Sequence, residues 1–199
     1  MGVVFQESKT KENLMRAFAG ESQARNRYTF AASQAKKENL DAISEVFLFT
    51  AGQEKEHAEV FYNFLKEVAG TTIEVDCAYP VDLFENTVAL LRAAHHNEYE
   101  EYEDAYPKFA EIAKEEGFPQ IEAAFRNISQ IEKTHGDRFQ MFAELLESNQ
   151  LYSSETSKQW MCLNCGYIYE GTQVPQNCPV CQHAKGYFIP AELAPYAKE

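Results

Sequence analysis

Between Ser8 and about Gln150 the apolar positions recur every three to four residues, the spacing of one face of an α-helix, in four successive segments. The first is expected from Ser8 or Thr10 to Lys37 or Glu38, and the second from Asp41 to Ala69. Asn39 and Gly70 serve as stops and Asp41 as a cap. Asp82 with Glu85 three residues later has the form of a capping box and predicts a third helix, bent by Pro107 and ending at Gly117. Pro119 opens a fourth, which ends near Asn149. Short connections near Asn39 and Gly117 make two antiparallel hairpins. The stretch from Gly70 to Val81 reads as extended, and at ~3.3 Å per residue it spans roughly 35–40 Å, the length of a helix. The expected fold is therefore mainly α: a four-helix bundle over 1–150 with one long crossover. After a polar linker, 151–158, the helical period gives way to turns, aromatics, Pro, Gly and Cys. A small second domain of β and turn structure is expected over 159–199, and at about 40 residues it needs a staple such as a metal.

A repeat assigns chemistry to the bundle. At an offset of 78, Ile43, Phe47, Glu54, Lys55, His57, Phe61 and Phe64 fall on Ile121, Phe125, Glu132, Lys133, His135, Phe139 and Phe142, each pair identical in type. Glu54 and His57 thus lie within a Phe-lined stripe, as do Glu132 and His135, whereas Glu56 and Glu59 lie off it. A lone Glu–His pair on one helix face is most simply an internal ion pair. Two copies within apolar stripes point instead to ligands, because an unpaired buried carboxylate is costly. The other helices add carboxylates. Glu21 interrupts the stripe of Leu14, Ala17, Phe18, Ala24 and Tyr28, while Glu98 and Glu101 interrupt that of Leu91, Ala94 and Ala105. Each hairpin has a Glu followed by Glu-x-x-His, with 33 residues from Glu21 to Glu54 and 34 from Glu98 to Glu132. One Glu from each of two helices plus Glu-x-x-His from the other two is the donor set of a ferritin-like di-iron or di-manganese bundle. His95 and His96 have no repeated partner and are read as non-ligands. Gly20, Gly52 and Gly136 lie within two residues of ligands and fit either close backbone approach at the site or ordinary helix crossing.

Charge narrows the partners. The net charge is −13, of which residues 151–199 carry only −1. Nucleic acid and anionic membranes require basic patches, so neither is expected. No signal-peptide pattern or membrane-length apolar run is present, and a cytoplasmic chain is expected. Of five cysteines, Cys77 stands alone. Cys162, Cys165, Cys178 and Cys181 form two Cys-x-x-Cys turns twelve residues apart, the spacing of a tetrahedral zinc or iron site.

In combination, "AFAGESQARNRY", "EKEH", "EYEEYEDAYP", "IEKTH" and "CLNCGY…CPVC" resemble the rubrerythrin family over nearly the whole chain. The resemblance implies a ferritin-like bundle with a non-haem di-iron centre and a rubredoxin-like domain holding one iron. It implies a peroxidase, a homodimer or higher homo-oligomer, that reduces hydrogen peroxide to water for oxidative-stress protection. Electrons would come from a donor protein such as rubredoxin or an NAD(P)H-dependent reductase. By the same resemblance Glu54 and Glu132 bridge the irons, Glu21 and Glu101 serve one, and Glu98 and His135 the other. His57 replaces Glu101 in the reduced state, and Tyr28 and Tyr106 hydrogen-bond the ligand carboxylates. Peroxide reduction needs protons, and Glu101, freed when His57 binds, is the candidate to relay them. The inter-knuckle loop is shorter than in free-standing rubredoxins, which leaves less chain to shield Cys178 and Cys181. Alternatives are a ferritin-like iron-handling protein or ferroxidase, a di-iron oxygen reductase or oxygenase, and a bundle with a structural zinc ribbon.

Overall fold

The computed structural model describes residues 3–195. Helices α1 (Lys9–Lys37) and α2 (Asp41–Phe64) form one hairpin. Helices α3 (Thr87–Glu100), α4 (Tyr106–Glu116) and α5 (Pro119–Glu147) form the other, α3 and α4 being joined by a π-helical turn, Glu101–Ala105. Strands β1 (Ser153–Cys162), β2 (Ile168–Gln173) and β3 (Phe188–Pro190) make an antiparallel sheet in the order β2-β1-β3. The mainly α bundle with one long crossover and a small C-terminal β domain is therefore the observed architecture.

The helix stops follow backbone chemistry. Asn39, Gly117 and Asn149 adopt positive φ, and the next N–H in each case bonds back five residues: Leu40 to Ala35 O, Phe118 to Ala113 O and Gln150 to Leu145 O. The Ser8 side chain caps α1, accepting from Lys11 N at 3.0 Å. Two expected starts are corrected. Asp41 is the first residue of α2 rather than its cap. The third helix is capped by Asn86, whose Oδ1 accepts from Ala89 N at 2.8 Å. Asp82 instead accepts from Arg27 (2.7 Å) and Asn97 (2.8 Å), fastening the crossover to the bundle.

The bend expected at Pro107 is the π turn. Tyr106 N bonds to Glu101 O, five residues back, and Pro107 offers no N–H. Ser129 Oγ on α5 donates to the freed Tyr102 O at 3.0 Å. The π turn also explains the unequal intervals in the sequence. Leu14, Ala17 and Glu21 match Leu91, Ala94 and Glu98 at an offset of 77, but Tyr28, Ala32 and Ala35 match Tyr106, Ala110 and Ala113 at 78. One extra residue sits between, and the wider turn absorbs it, so that Tyr106 returns to the face of Glu98 as Tyr28 does to that of Glu21.

Two aromatic clusters related by the repeat bracket the centre of the bundle. Tyr28, Phe47 and Phe139 lie at centroid separations of 5.0–6.2 Å on one side. Tyr106, Phe125 and Phe61 lie at 4.9–5.9 Å on the other. The segment 151–158 is not a free linker. Leu151 is buried in the bundle's upper core, and β1 already begins at Ser153. Ile189 and Ala194 join the same core, and Trp160 Nε1 donates to Leu151 O at 3.1 Å. Gly186 rests on the α1–α2 turn, where a Cβ would stand 2.1 Å from Asn39 O.

Of the three helix glycines near the site, Gly136 requires its lack of a side chain. A Cβ there would lie 2.6 Å from the Tyr99 ring, whereas nothing lies within 4 Å of one at Gly52. In denaturant titrations Gly136→Ala should lower stability by roughly 1–3 kcal/mol through overpacking. Gly52→Ala, on an exposed helix face, should raise it by up to ~1 kcal/mol.

A second prediction concerns pH. Glu116 at the end of α4 accepts from Lys9 N (3.0 Å), Thr10 N (2.8 Å) and Thr10 Oγ1 (2.6 Å), closing the first turn of α1. Partial burial opposes its ionisation, but the Thr10 and Lys9 donors outweigh burial and hold its pKa below the ordinary value. A depressed folded pKa contributes stability that is present above the unfolded pKa and lost as pH falls through the folded one. Glu116→Gln should therefore cost about 1 kcal/mol at pH 7, and the deficit should shrink below about pH 4.

Candidate metal centres

Glu21 on α1, Glu54 and His57 on α2, Glu98 on α3, and Glu132 and His135 on α5 meet between the two aromatic clusters. All six are buried, His57 being the most open at 7% exposure. Their donor atoms form two overlapping groups: Glu21, Glu54, His57 and Glu132, and Glu54, Glu98, Glu132 and His135. Glu54 and Glu132 belong to both. His57 Nδ1 lies 3.0 Å from Glu132 Oε1 and 3.3 Å from Glu54 Oε2. His135 Nδ1 lies 2.9 Å from both Glu54 Oε1 and Glu132 Oε2. Each shared carboxylate thus turns one oxygen to each imidazole. The rings lie 5.5 Å apart and nearly parallel, at 14°.

These contacts are not hydrogen bonds. Both oxygens of Glu54 and of Glu132, Glu21 Oε2, Glu98 Oε2 and both Nδ1 atoms are buried without a hydrogen-bond partner. Buried polar atoms left unpaired each cost ~1–3 kcal/mol, and a cluster of them calls for an ion. The distances suit one, since neighbouring donors ~2.1 Å from a shared cation stand about 3.0 Å apart. Without a cation, the carboxylates must share protons. Burial pushes Glu21 up to about 8 and raises Glu98 and Glu132, and the neighbouring Glu54 charge raises them further. Burial acts on Glu54 in the same sense, but the two imidazoles outweigh it and hold Glu54 at about 2. The donor set of carboxylate and imidazole suits iron.

Two tyrosines fasten the outer carboxylates, with Tyr28 donating to Glu98 and Tyr106 to Glu21. Each reaches across from one hairpin to the other, and each is buried with its ionisation suppressed, chiefly by desolvation. Glu101 lies outside both donor groups. It is half-buried beside Gly20, with Oε1 3.8 Å from where a Cβ at Gly20 would stand. His95 bonds to Gly136 O at 3.0 Å and exposed His96 faces Glu100, so neither joins the cluster.

The second centre is built by two matching turns. Gly166 N bonds to Cys162 O and Gln182 N to Cys178 O, and both residues after the turns have positive φ. The four sulfurs converge, with Cys162 Sγ to Cys181 Sγ and Cys165 Sγ to Cys178 Sγ both 3.7 Å. That is too long for a disulfide and matches the ~3.8 Å edge of a tetrahedron with metal–sulfur bonds of ~2.3 Å. The expected weak shielding is corrected for Cys178, which is fully buried. Of the four, Cys165 is exposed and Cys181 half-buried. Trp160 and Phe188 form the buried side.

A carboxylate–histidine four-helix bundle carrying a four-cysteine module is a two-centre metalloprotein of the ferritin-like class, and both donor sets fit iron. A family model described as Rubrerythrin matches residues 12–143, and one described as Rubrerythrin, rubredoxin-like domain, matches 160–189. The rubrerythrin of Clostridium perfringens is 46% identical over 182 residues, covering 91% of this chain and 93% of that protein. The rubrerythrin of Porphyromonas gingivalis is 45% identical over 183 residues, covering 92% and 90%. Among solved structures, fully reduced, all-ferrous nigerythrin aligns at 28% identity with a TM-score of 0.62, over 92% of this chain and 90% of that one. The chain belongs to the rubrerythrin family, and membership implies an oxidoreductase. Among the described residues no helix is long and apolar enough to cross a membrane.

The sequence reading missed the π turn, although the shift in offset from 77 to 78 signalled it. Metal analysis should give about three irons per chain, and Glu132→Ala should lower this to about one while leaving the red colour of the four-cysteine iron unchanged. Full iron content in Glu132→Ala, or zinc bound to the cysteines, would contradict the assignment.

Proposed function

We propose that this chain is a non-haem di-iron peroxidase, reducing hydrogen peroxide to two waters with two electrons and two protons. The observation that carries this reading is the double use of Glu54 and Glu132 by two donor groups in a chain that also holds a four-cysteine centre. Two bound irons would supply the electron pair for O–O cleavage and Lewis acidity, with the four-cysteine iron passing electrons singly from a donor protein.

The chain's own residues then divide the remaining work. Glu54 and Glu132, common to both donor groups, would be shared by the two irons, with Glu21 and His57 holding one and Glu98 and His135 the other. Tyr28 and Tyr106 hold Glu98 and Glu21 in orientation and keep a proton at each phenol oxygen. That His57 lies in the cluster and Glu101 outside it supports the reading, implied by the family resemblance, that His57 is a ligand in the reduced form while Glu101 is free. Glu101, whose burial and carboxylate neighbours favour its protonated form, is the proton carrier to the leaving oxygen. A homodimer acting in the cytoplasm to remove peroxide completes the proposal.

The test is stopped-flow oxidation of the reduced, iron-loaded protein. Hydrogen peroxide should oxidise it at least about tenfold faster than dioxygen at equal concentration. The reverse order would replace the peroxidase reading with an oxygen reductase or ferroxidase. His57→Ala should slow the peroxide reaction by about 10–100-fold, and an unchanged rate would discard the ligand role of His57.

A further inference from the structure

The long crossover does more than join the hairpins. Residues 76–82 lie across α1 and are held there by three bonds. Arg16 Nε donates to Asp76 O at 3.0 Å, Tyr79 OH donates to Arg16 O at 2.7 Å, and Arg27 pairs with Asp82 at 2.7 Å. Beneath the segment lies a cavity of about 230 Å³, lined among others by Gly20, Gln23, Tyr79, Glu101, Tyr106 and Phe109. That is far above the ~10–15 Å³ needed to hold one water.

Its inner wall adjoins the metal site through Gly20, next in sequence to the donor Glu21, and through Tyr106, which donates to Glu21; Glu101 shares that wall. The larger cavity of about 550 Å³ near Arg138 and Phe49 includes neither Glu101 nor Tyr106. On the outer side Cys77, Ala78 and Tyr79 are exposed, so the cavity runs from solvent to Glu101 and Tyr106, whose hydroxyl holds the donor Glu21. Gly20 and Tyr79 face each other across it. A Cβ on Gly20 would stand 3.6 Å from Tyr79 Cε1 and 3.8 Å from Glu101 Oε1. A methyl group is accommodated there, but a branched side chain would fill the gap. The crossover has no regular secondary structure and few buried side chains, features of a segment that opens at low cost.

We propose that crossover residues 76–82 form the entrance to the di-metal site, that Tyr79 and Gly20 are its two sides, and that their bulk sets which hydroperoxides reach Glu101. The size-selection part rests on the peroxidase reading, whereas the entrance itself does not. Both are tested on the full, iron-loaded chain by two measurements. One is azide association with the oxidised protein, followed by its charge-transfer absorption. The other is oxidation of the reduced protein by hydrogen peroxide and by tert-butyl hydroperoxide.

Gly20→Leu should slow azide and both peroxides by about tenfold, and Tyr79→Ala should raise the rate with tert-butyl hydroperoxide relative to hydrogen peroxide by about tenfold and hasten azide association. Where Gly20→Leu does not load iron, Tyr79→Ala alone decides. Azide association and a peroxide ratio both within about twofold of wild type in Tyr79→Ala would overturn the entrance, even with peroxide consumed normally. Altered azide association in a protein that consumes no peroxide would uphold the entrance and remove the peroxidase reading.

Discussion

The structure is organised around the mutual repulsion of buried carboxylates and the cations that relieve it. Glu21, Glu54, Glu98 and Glu132 occupy one layer of the bundle and are almost fully buried. Two unit charges 4 Å apart repel by about 4 kcal/mol even at an effective dielectric of 20. Protonation relieves this only in part, because Glu54 stays ionised between the two imidazoles while its neighbours are driven to hold protons. Two divalent ions would neutralise the four carboxylates and give their unpaired oxygens, and the imidazole nitrogens facing them, a partner. The aromatic clusters on either side flank the layer with apolar side chains, and the low dielectric there strengthens the electrostatic interactions within it.

This dependence explains the symmetry of the chain. A dinuclear site with two bridging carboxylates has two similar ends, and the repeat supplies them: Glu54–His57 with Glu132–His135, Phe47–Phe61 with Phe125–Phe139, and Tyr28 with Tyr106. The departures from symmetry carry function. Position 24 of the first hairpin is Ala, and the corresponding position of the second is Glu101, the added carboxylate. Immediately after it begins the inserted residue, absorbed by the π turn, with Pro107 and Ser129 settling its backbone. One end of the site therefore has a spare acid beside a cavity, and the other does not.

Much of this was legible in the chain itself. The helix period, the left-handed stops at Asn39, Gly117 and Asn149, and the repeat each reflect local backbone or packing rules that act through nearby residues. What escaped depended on partners distant in sequence. Asp82 reads as a cap, yet Arg27 and Asn97 claim its carboxylate, and Asn86 takes the capping role. Residues 151–158 read as polar tether, but Leu151 and the strand after it are recruited by the bundle's end. Shielding of the four-cysteine site was misjudged at Cys178 because Trp160 and Phe188, distant in sequence, pack with Val174 of the short inter-knuckle loop into one buried cluster with it.

The most direct test of the central claim is anomalous X-ray scattering at the iron edge from crystals of the iron-loaded protein. The account predicts two peaks about 3.5–4 Å apart between Glu54 and Glu132, and a third, isolated peak within the four cysteines. A single peak in the bundle, or none with Glu54 and Glu132 paired only to the histidines, would contradict it.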